Sequence, residues 1–474
     1  MDPDYKSRKE AFVSNLTGGS ILEINAVTLV APASVLLWSV LQSRLSFFTP
    51  YGPAALITDF LLNVLAILFA TTFYSFAPWL LNILLISPAL IVLLNSRPRR
   101  TQTKAKPPPT AAAQHGSGAS LPVHPFLTTY RAAMMIITCI AILAVDFHIF
   151  PRRFAKAENW GTSLMDLGVG SFVFSGGVVS ARSVLKSREG GASPKKTLAQ
   201  RFVLSIRHSV PLLVLGLVRL YSVKNLDYAE HVTEYGTHWN FFFTLGFLPP
   251  FVEIFEGLAM LIPSYELLSL SVAVLYQVAL ESTDLKSYIL VSPRGPDLLS
   301  KNREGVFSFL GYLAIFLAGR ATGMRIIPSG ISPSTTPQQA RKRVLTRYGA
   351  NIPVSRRLAN MPYVLWVAAF NNAQLFLFCL IETMLFPSVH RASGSGKNEE
   401  AKRTAFATSP IMKAFNRSGL AIFLIANLLT GAVNLTVPTL DVGNAQAMAI
   451  LVGYAALITG IALGLDKANI RISL

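Results

Sequence analysis

The 474-residue sequence has only two cysteines, and only 14% of its residues are charged. Cys139 and Cys379 both fall inside apolar runs, so a disulfide framework and a cysteine-based zinc spacing are excluded. They read as small buried hydrophobes. A soluble chain carries about 25% charged residues. Acids are scarce beside bases, with 24 Asp and Glu against 42 Lys and Arg, a net charge of +18. The basic residues lie in loops rather than on one folded surface, which excludes nucleic acid as a partner. No Walker loop, Rossmann fingerprint or GxSxG elbow occurs, so a serine acyl-enzyme has no support in the sequence. The apolar runs lack period-2 alternation, which argues against a barrel.

What is abundant is hydrophobic side chain, 52% of the residues. It is gathered into runs of roughly 18–23 residues, enough to cross a ~30 Å hydrocarbon core as helix. Helices satisfy every backbone group in lipid. The sequence predicts an all-α polytopic membrane bundle of about twelve spans, near 25–43, 54–75, 77–95, 130–150, 163–181, 203–222, 239–257, 263–281, 304–321, 361–386, 416–437 and 445–465. The first run follows Lys6, Arg8, Lys9 and Glu10 and lacks a small-residue cleavage site, so it is expected to stay, behind a short tail with an interfacial piece.

Composition divides the chain into five parts. Residues 1–95 hold the tail and first three spans. Residues 96–129 are a disordered linker carrying PPPTAAAQHGSG. Residues 130–321 hold core spans and most candidate site residues, 322–359 form a basic loop, and 360–474 hold three spans with a flexible loop at 388–414. Strict alternation of twelve spans puts 19 loop Lys and Arg on one side and 20 on the other, so the positive-inside rule makes no choice. One further span between about Thr322 and Pro353 changes the split to 11 against 28 and turns the N-terminus away from the cytosol.

The densest chemistry lies in Ala144 to Gly170, where Asp146, Arg152, Arg153, Lys156, Glu158 and Asp166 sit between and inside two apolar segments. Each charge at the edge of a bilayer core costs roughly 2.5–3.5 kcal/mol on insertion scales. Asp146 is expected inside a helix that Pro151 ends, paired with Lys156 or Arg152. The pair is either structural or an acid–base site, in which a carboxylate accepts a hydroxyl proton and a cation stabilises oxyanion charge. EHVTEYGTHWN, residues 230–240, brings His231, Glu234, His238, Trp239 and Asn240 into one loop. Its histidines are seven apart and lack the i,i+4 zinc pattern, so metal is disfavoured, and the block reads equally as polar substrate contact or as a plain interfacial loop. Trp239 fits an interface anchor. Arg303 and Glu304 open a span, where a helix N-terminus favours phosphate or the pair caps the helix and snorkels. The block SRRLANMPYVLW at 355–366 has the same look, a phosphate or headgroup contact or, more simply, a topology signal.

Taken together, these blocks resemble the inositol acyltransferase family of GPI-anchor biosynthesis. The matching stretches are GGSILEINAVT at 18–28, TTYRAAMMIITCIAILAVDFHIFPRRFAKAENWGTSLMDLGVGSFVFS at 128–175, VKNLDYAEHVTEYGTHWNFFFTL at 223–245, NREGVFSFLGY at 302–312 and SRRLANMPYVLW at 355–366, with a weaker one at 427–437. The resemblance implies a multi-pass protein of the endoplasmic reticulum membrane that transfers a fatty acyl group from acyl-coenzyme A, of palmitoyl type, to the inositol 2-hydroxyl of glucosaminyl-phosphatidylinositol. Acyl-coenzyme A is then a co-substrate, and no bound cofactor or metal is expected. The family has about thirteen spans, one of them before the block at Ser355, where RKRVLTRYGANIP is too short and polar to be one.

Joining the two lines makes Asp146 and Lys156 the candidate catalytic residues. Arg152, Arg153, His231, Glu234, His238, Trp239, Asn240 and Arg303 are candidates for the headgroup or coenzyme side. Val169, Phe172 and Phe174 are candidates for the acyl chain. A lipid transporter or flippase without acyl-transfer chemistry remains the alternative, and a scaffold subunit a third.

Overall fold

A computed structural model describes residues 3–96, 124–189, 197–225, 232–258, 264–327, 352–390 and 397–470. It is all-helical, and the helices fall where the apolar runs do. After a polar N-terminal helix, α1 (Pro3–Val13), come α2 (Ile21–Leu45), α3 (Pro53–Thr71), α4 (Pro78–Asn95), α5 (Pro125–Ala144), α6 (Leu164–Glu189), α7 (Leu198–Asn225), α8 (Phe241–Leu258), α9 (Tyr265–Ser282), α10 (Arg303–Ile326), α11 (Met361–Leu385), α12 (Gly419–Thr436) and α13 (Asn444–Lys467). Ten of these are long and apolar enough to cross a bilayer; α8 and α9 are helical in their expected places but fall short of that test.

Two expectations are corrected. The helix expected at 130–150 begins at Pro125 and ends at Ala144, so Asp146 lies in the turn after it rather than inside it. The flexible loop expected at 388–414 contains the helices Lys397–Phe406 and Pro410–Arg417. KNEEAKRTAF is rich in helix formers, with Glu399 and Lys402 paired one turn apart. Most of the linker expected at 96–129 lies outside the described residues.

The centre of the bundle is the contact of α6 with α10. Gly177 lies against the carbonyl of Phe316, Gly319 against that of Phe174, and Gly323 against Val178. A Cβ at any of them would collide with backbone, so glycine is what lets the two helices touch. In lipid, where apolar burial gives no net drive between helices, such close approach supplies the packing energy.

The helix ends define two faces. On the first, α1 reaches the loop after α12: Arg8 pairs with Asp441 at 2.6 Å and Lys9 donates to Asn434 at 2.8 Å. The loops 145–163, 232–240 and 283–302 open on this face, tied by Lys156 with Glu234 and by the His238 N–H to Asn302. On the opposite face, Gln42 donates to the carbonyl of Phe406, and Lys413 pairs with Asp466. Ile327 lies on the opposite face beside His124, whereas the carbonyl of Val354 accepts from Gly161 on the first. Ile327 and Val354 therefore lie on opposite faces; residues 328–351, where one further span was expected, lie outside the described ones. Among the described residues the loops and helix ends of the N-terminal face carry 13 Lys and Arg and those of the opposite face also 13.

Candidate active site

The loop 145–163 is folded by its own arginines. Arg152 donates one guanidinium nitrogen to the carbonyls of Val145 at 2.8 Å, Phe147 at 3.2 Å and Phe150 at 2.8 Å. Phe147, Phe150 and Phe154 are fully buried beneath. The ring of Phe12 on α1 lies 3.8 Å from that guanidinium. Arg153 pairs with Glu23 at 2.7 Å and donates to the carbonyl of Ser75. Gly18 and Gly161, both at positive φ (+77° and +132°), let two backbones approach, and Gly19 exchanges two 2.7 Å hydrogen bonds with Thr162.

Asp146 is buried in this turn. It accepts from Asn434 on α12 at 2.8 Å, and the ammonium of Lys9 stands 3.9 Å away. Burial pushes its carboxyl above the usual range, against the opposing pull of Lys9, Asn434 and Arg152.

A second group of charges lies in the same face. Lys156 pairs with Glu234 at 2.6 Å. Arg356 reaches Glu234 at 3.5 Å and bonds Asp166 at 2.5 Å. Tyr363 donates to the carbonyl of Asp166 at 2.7 Å, and the Ala157 N–H donates to its carboxylate at 3.0 Å. Burial raises the Glu234 carboxyl, but Lys156 and Arg356 outweigh it and hold it at about 2. Arg356 is held well above its ordinary range, because Glu234 and Asp166 overcome its desolvation. Beside this group, Glu304 accepts from Arg294 at 2.7 Å and Arg357 at 3.1 Å, and Arg357 also bonds the side-chain oxygen of Asn159 at 2.5 Å.

The expected residues divide accordingly. Asp146 and Lys156 do not pair: Asp146 turns to Asn434 and Lys9, Lys156 to Glu234. Arg152 lies near Asp146, but one of its guanidinium nitrogens is given to three carbonyls, while Nε and Nη1 are buried without a hydrogen-bond partner among the described residues. Arg303 does not wait for a phosphate; it donates to the carbonyls of Ser292 and Pro293 while Glu304 sits buried at the helix start. Asn240 accepts from the N–H groups of Phe242 and Phe243 and donates to the carbonyl of Gly216, so it caps α8. Trp239 is half-buried, lies over Gly305 and donates to Thr244. His238 bonds Asn302 through its backbone, and His231 lies outside the described residues. Arg356, Asp166 and Tyr363 are the members that sequence reasoning did not assign. Their signal was there: Asp166 stood among the charges of the first block and Arg356 opened the last.

A cavity of about 260 Å³ lies within the bundle between α5, α6, α7, α8 and α10. Phe172, Leu212, Leu245 and Phe415 line it, with the half-buried Arg131 at its edge. Of the three residues expected at the acyl chain, Phe172 borders this space; Phe174 is instead fully buried against α10, and Val169 packs on the core.

Five sequence blocks far apart in the chain thus meet at one face: 18–28 with 158–162, 223–245 with 302–312, and 355–366 with 166. The GWT1 family model matches residues 5–465. The chain belongs to the GWT1 family. It is 91% identical over 474 residues, all of each chain, to GPI-anchored wall transfer protein 1 of Emericella nidulans. It is 73% identical over 503 positions to the protein of that name from Aspergillus oryzae, and 40% identical over 523 to that of Candida albicans, in both cases across all of each chain. The A. oryzae alignment, at 503 positions against 474 residues, contains at least 29 positions without a counterpart here.

Proposed function

We propose that this multi-pass GWT1 protein is an acyl-coenzyme-A-dependent O-acyltransferase of GPI-anchor biosynthesis, acting on the inositol 2-hydroxyl of glucosaminyl-phosphatidylinositol in the endoplasmic reticulum membrane. Asp146 accepts the inositol hydroxyl proton. The oxygen attacks the thioester carbonyl, a C–O bond forms and the C–S bond breaks, and the coenzyme leaves as thiol with that proton. Lys156, held in place by Glu234, stabilises the oxyanion or the coenzyme phosphates. Because Asp146 and Lys156 have separate partners, the substrates must bridge them. Arg153, Arg356, Arg357 and His238 surround the headgroup side, and the cavity bordered by Phe172 and Arg131 takes the acyl chain.

The observation that carries this reading is the contrast between carboxylates on one face. Glu234 is an anion fixed by two cations and is a poor base; Asp146 is buried and its basicity is raised. The test is purified full-length protein given palmitoyl-coenzyme A and glucosaminyl-phosphatidylinositol. An acyl-inositol lipid supports the reading; a protein that moves the lipid between leaflets without acylating it overturns it in favour of a flippase.

A further inference from the structure

On the opposite face, at the far end of the bundle from the acid–base cluster, three side chains converge that this mechanism does not use. His124 precedes the first turn of α5, Glu382 lies in the last turn of α11, and His390 ends the short helix Pro387–His390. Their ligating atoms, one nitrogen from each ring and one carboxylate oxygen, all lie within 4.8 Å of one another. His124 and Glu382 are buried and His390 is half-buried. Glu382 Oε1 and His390 Nε2 are 3.1 Å apart, yet neither has a hydrogen-bond partner. Two polar atoms that close, buried and not aligned donor to acceptor, direct their lone pairs into shared space. The orientation of each is set from behind. The other oxygen of Glu382 accepts the Phe126 N–H, and His124 Nε2 is 3.3 Å from the carbonyl of Ile327, a bond that leaves Nδ1 with the lone pair. Metal-bound histidines and carboxylates are held in this way by outer partners.

We propose that His124, Glu382 and His390 bind one divalent transition-metal ion, with Zn2+ the best match. Two imidazoles and a carboxylate are a known zinc donor set, with metal–ligand distances of about 2.0–2.2 Å. Tetrahedral ligands at that distance stand roughly 3.3 Å apart, close to the 3.1 Å already present between Glu382 and His390. A fourth position is left to water, since the described residues supply three donors. The ion joins the start of α5 to the end of α11 and, through the Ile327 carbonyl, lies against the end of α10, so it acts as a clasp on chain ends rather than as part of acyl transfer.

The experiment uses full-length protein in detergent, purified without a histidine tag, stripped with chelator and reloaded with Zn2+ or Co2+. The expected result is about one Zn2+ per chain by elemental analysis, a tetrahedral Co2+ spectrum, and a melting temperature raised by the metal. Glu382→Gln and His390→Ala are expected to weaken binding by ~10–100-fold. His390→Cys is expected to keep the metal and add a thiolate-to-Co2+ charge-transfer band, which a ligand in contact with the ion produces and a misfolded variant does not. Wild-type protein that binds no more Zn2+ than a His124→Ala/His390→Ala double variant overturns the assignment, and so does a His390→Cys spectrum without the new band.

Discussion

Lys156 Nζ and Glu234 Oε1 stand 2.6 Å apart, although 78 residues of chain separate them. The contact joins the loop after α5 to the single turn Val232–Tyr235 and brings Arg356 to the same carboxylate. Its chemical consequence is selective. It keeps Glu234 an anion at neutral pH and positions the Lys156 ammonium, while Asp146, held apart by Asn434 and Lys9, keeps the more basic carboxylate.

Asp146→Asn and Lys156→Ala are each expected to lower inositol acylation by at least ~100-fold, the lower range for losing general base or electrostatic help. Both proteins should still accumulate in membranes, because neither change touches the α6–α10 contact. Glu234→Gln should mimic Lys156→Ala in part, since the ammonium loses its anchor. Acylation assayed in membranes against protein level checks all three; near-wild-type activity in Asp146→Asn and Lys156→Ala would discard both roles.

The rate should depend on pH through Asp146. A base must be ionised, and burial raises this carboxyl above the ordinary value of about 3.9. Activity therefore falls as pH drops through a limb displaced above that value. Lys9, 3.9 Å away, favours the ionised form, so Lys9→Met should move the limb to still higher pH. The profile of kcat/KM reads this directly. A limb that ignores Lys9→Met would mean that another group titrates.

Arg356 is 4% exposed and serves two carboxylates at once. Removing one member of such a buried group strands the others, at roughly 3–5 kcal/mol. Arg356→Met should therefore lower the melting temperature of the detergent-purified protein, and Arg356→Met combined with Asp166→Asn should cost less than the two changes summed. Additive losses would show that the two side chains do not share an interaction. Glu234 adds a pH signature. Its folded value, about 2, lies below the ordinary ~4.3, so its contribution is present above ~4.3 and is lost as pH falls toward 2.

How far the sequence reveals such a site depends on the distance over which its contacts act. The spans are legible because an apolar run of sufficient length has few alternatives in lipid, and all twelve expected helices occur. The end of α5 is not legible: Pro151 suggests a helix through residue 150, but Arg152, folded back onto three carbonyls, closes the turn from the other side and releases Asp146 from the helix. Partner choice is less legible still. Asp166 and Arg356 are 190 residues apart, and nothing local in either segment says that they meet. The basic pair Arg356–Arg357 reads from sequence as a headgroup contact or a topology signal, whereas burial turns it into the counter-charge of Asp166, Glu234 and Glu304.

The two faces can be separated by labelling. The native cysteines, Cys139 and Cys379, are both buried, so the protein offers a quiet background for single introduced thiols. Asp441, whose side chain is 48% exposed, lies on the N-terminal face, and Lys402, 75% exposed, on the opposite one. Their ion pairs are exposed and worth little, so Asp441→Cys and Lys402→Cys should leave the fold intact. In sealed, right-side-out endoplasmic reticulum microsomes a membrane-impermeant maleimide should label Lys402→Cys at once and Asp441→Cys only after permeabilisation. That outcome puts Asp146, Lys156 and Glu234 on the lumenal face, because Asp146 meets Lys9 of α1, whose Arg8 pairs with Asp441, and Lys156 follows Asp146 in the same loop and pairs with Glu234. It also requires the coenzyme or its acyl chain to reach them through the bundle, which gives the cavity beside Arg131 and Phe172 its function. The reverse labelling order would put the acid–base cluster in the cytosol, open to the coenzyme directly, and would remove that need.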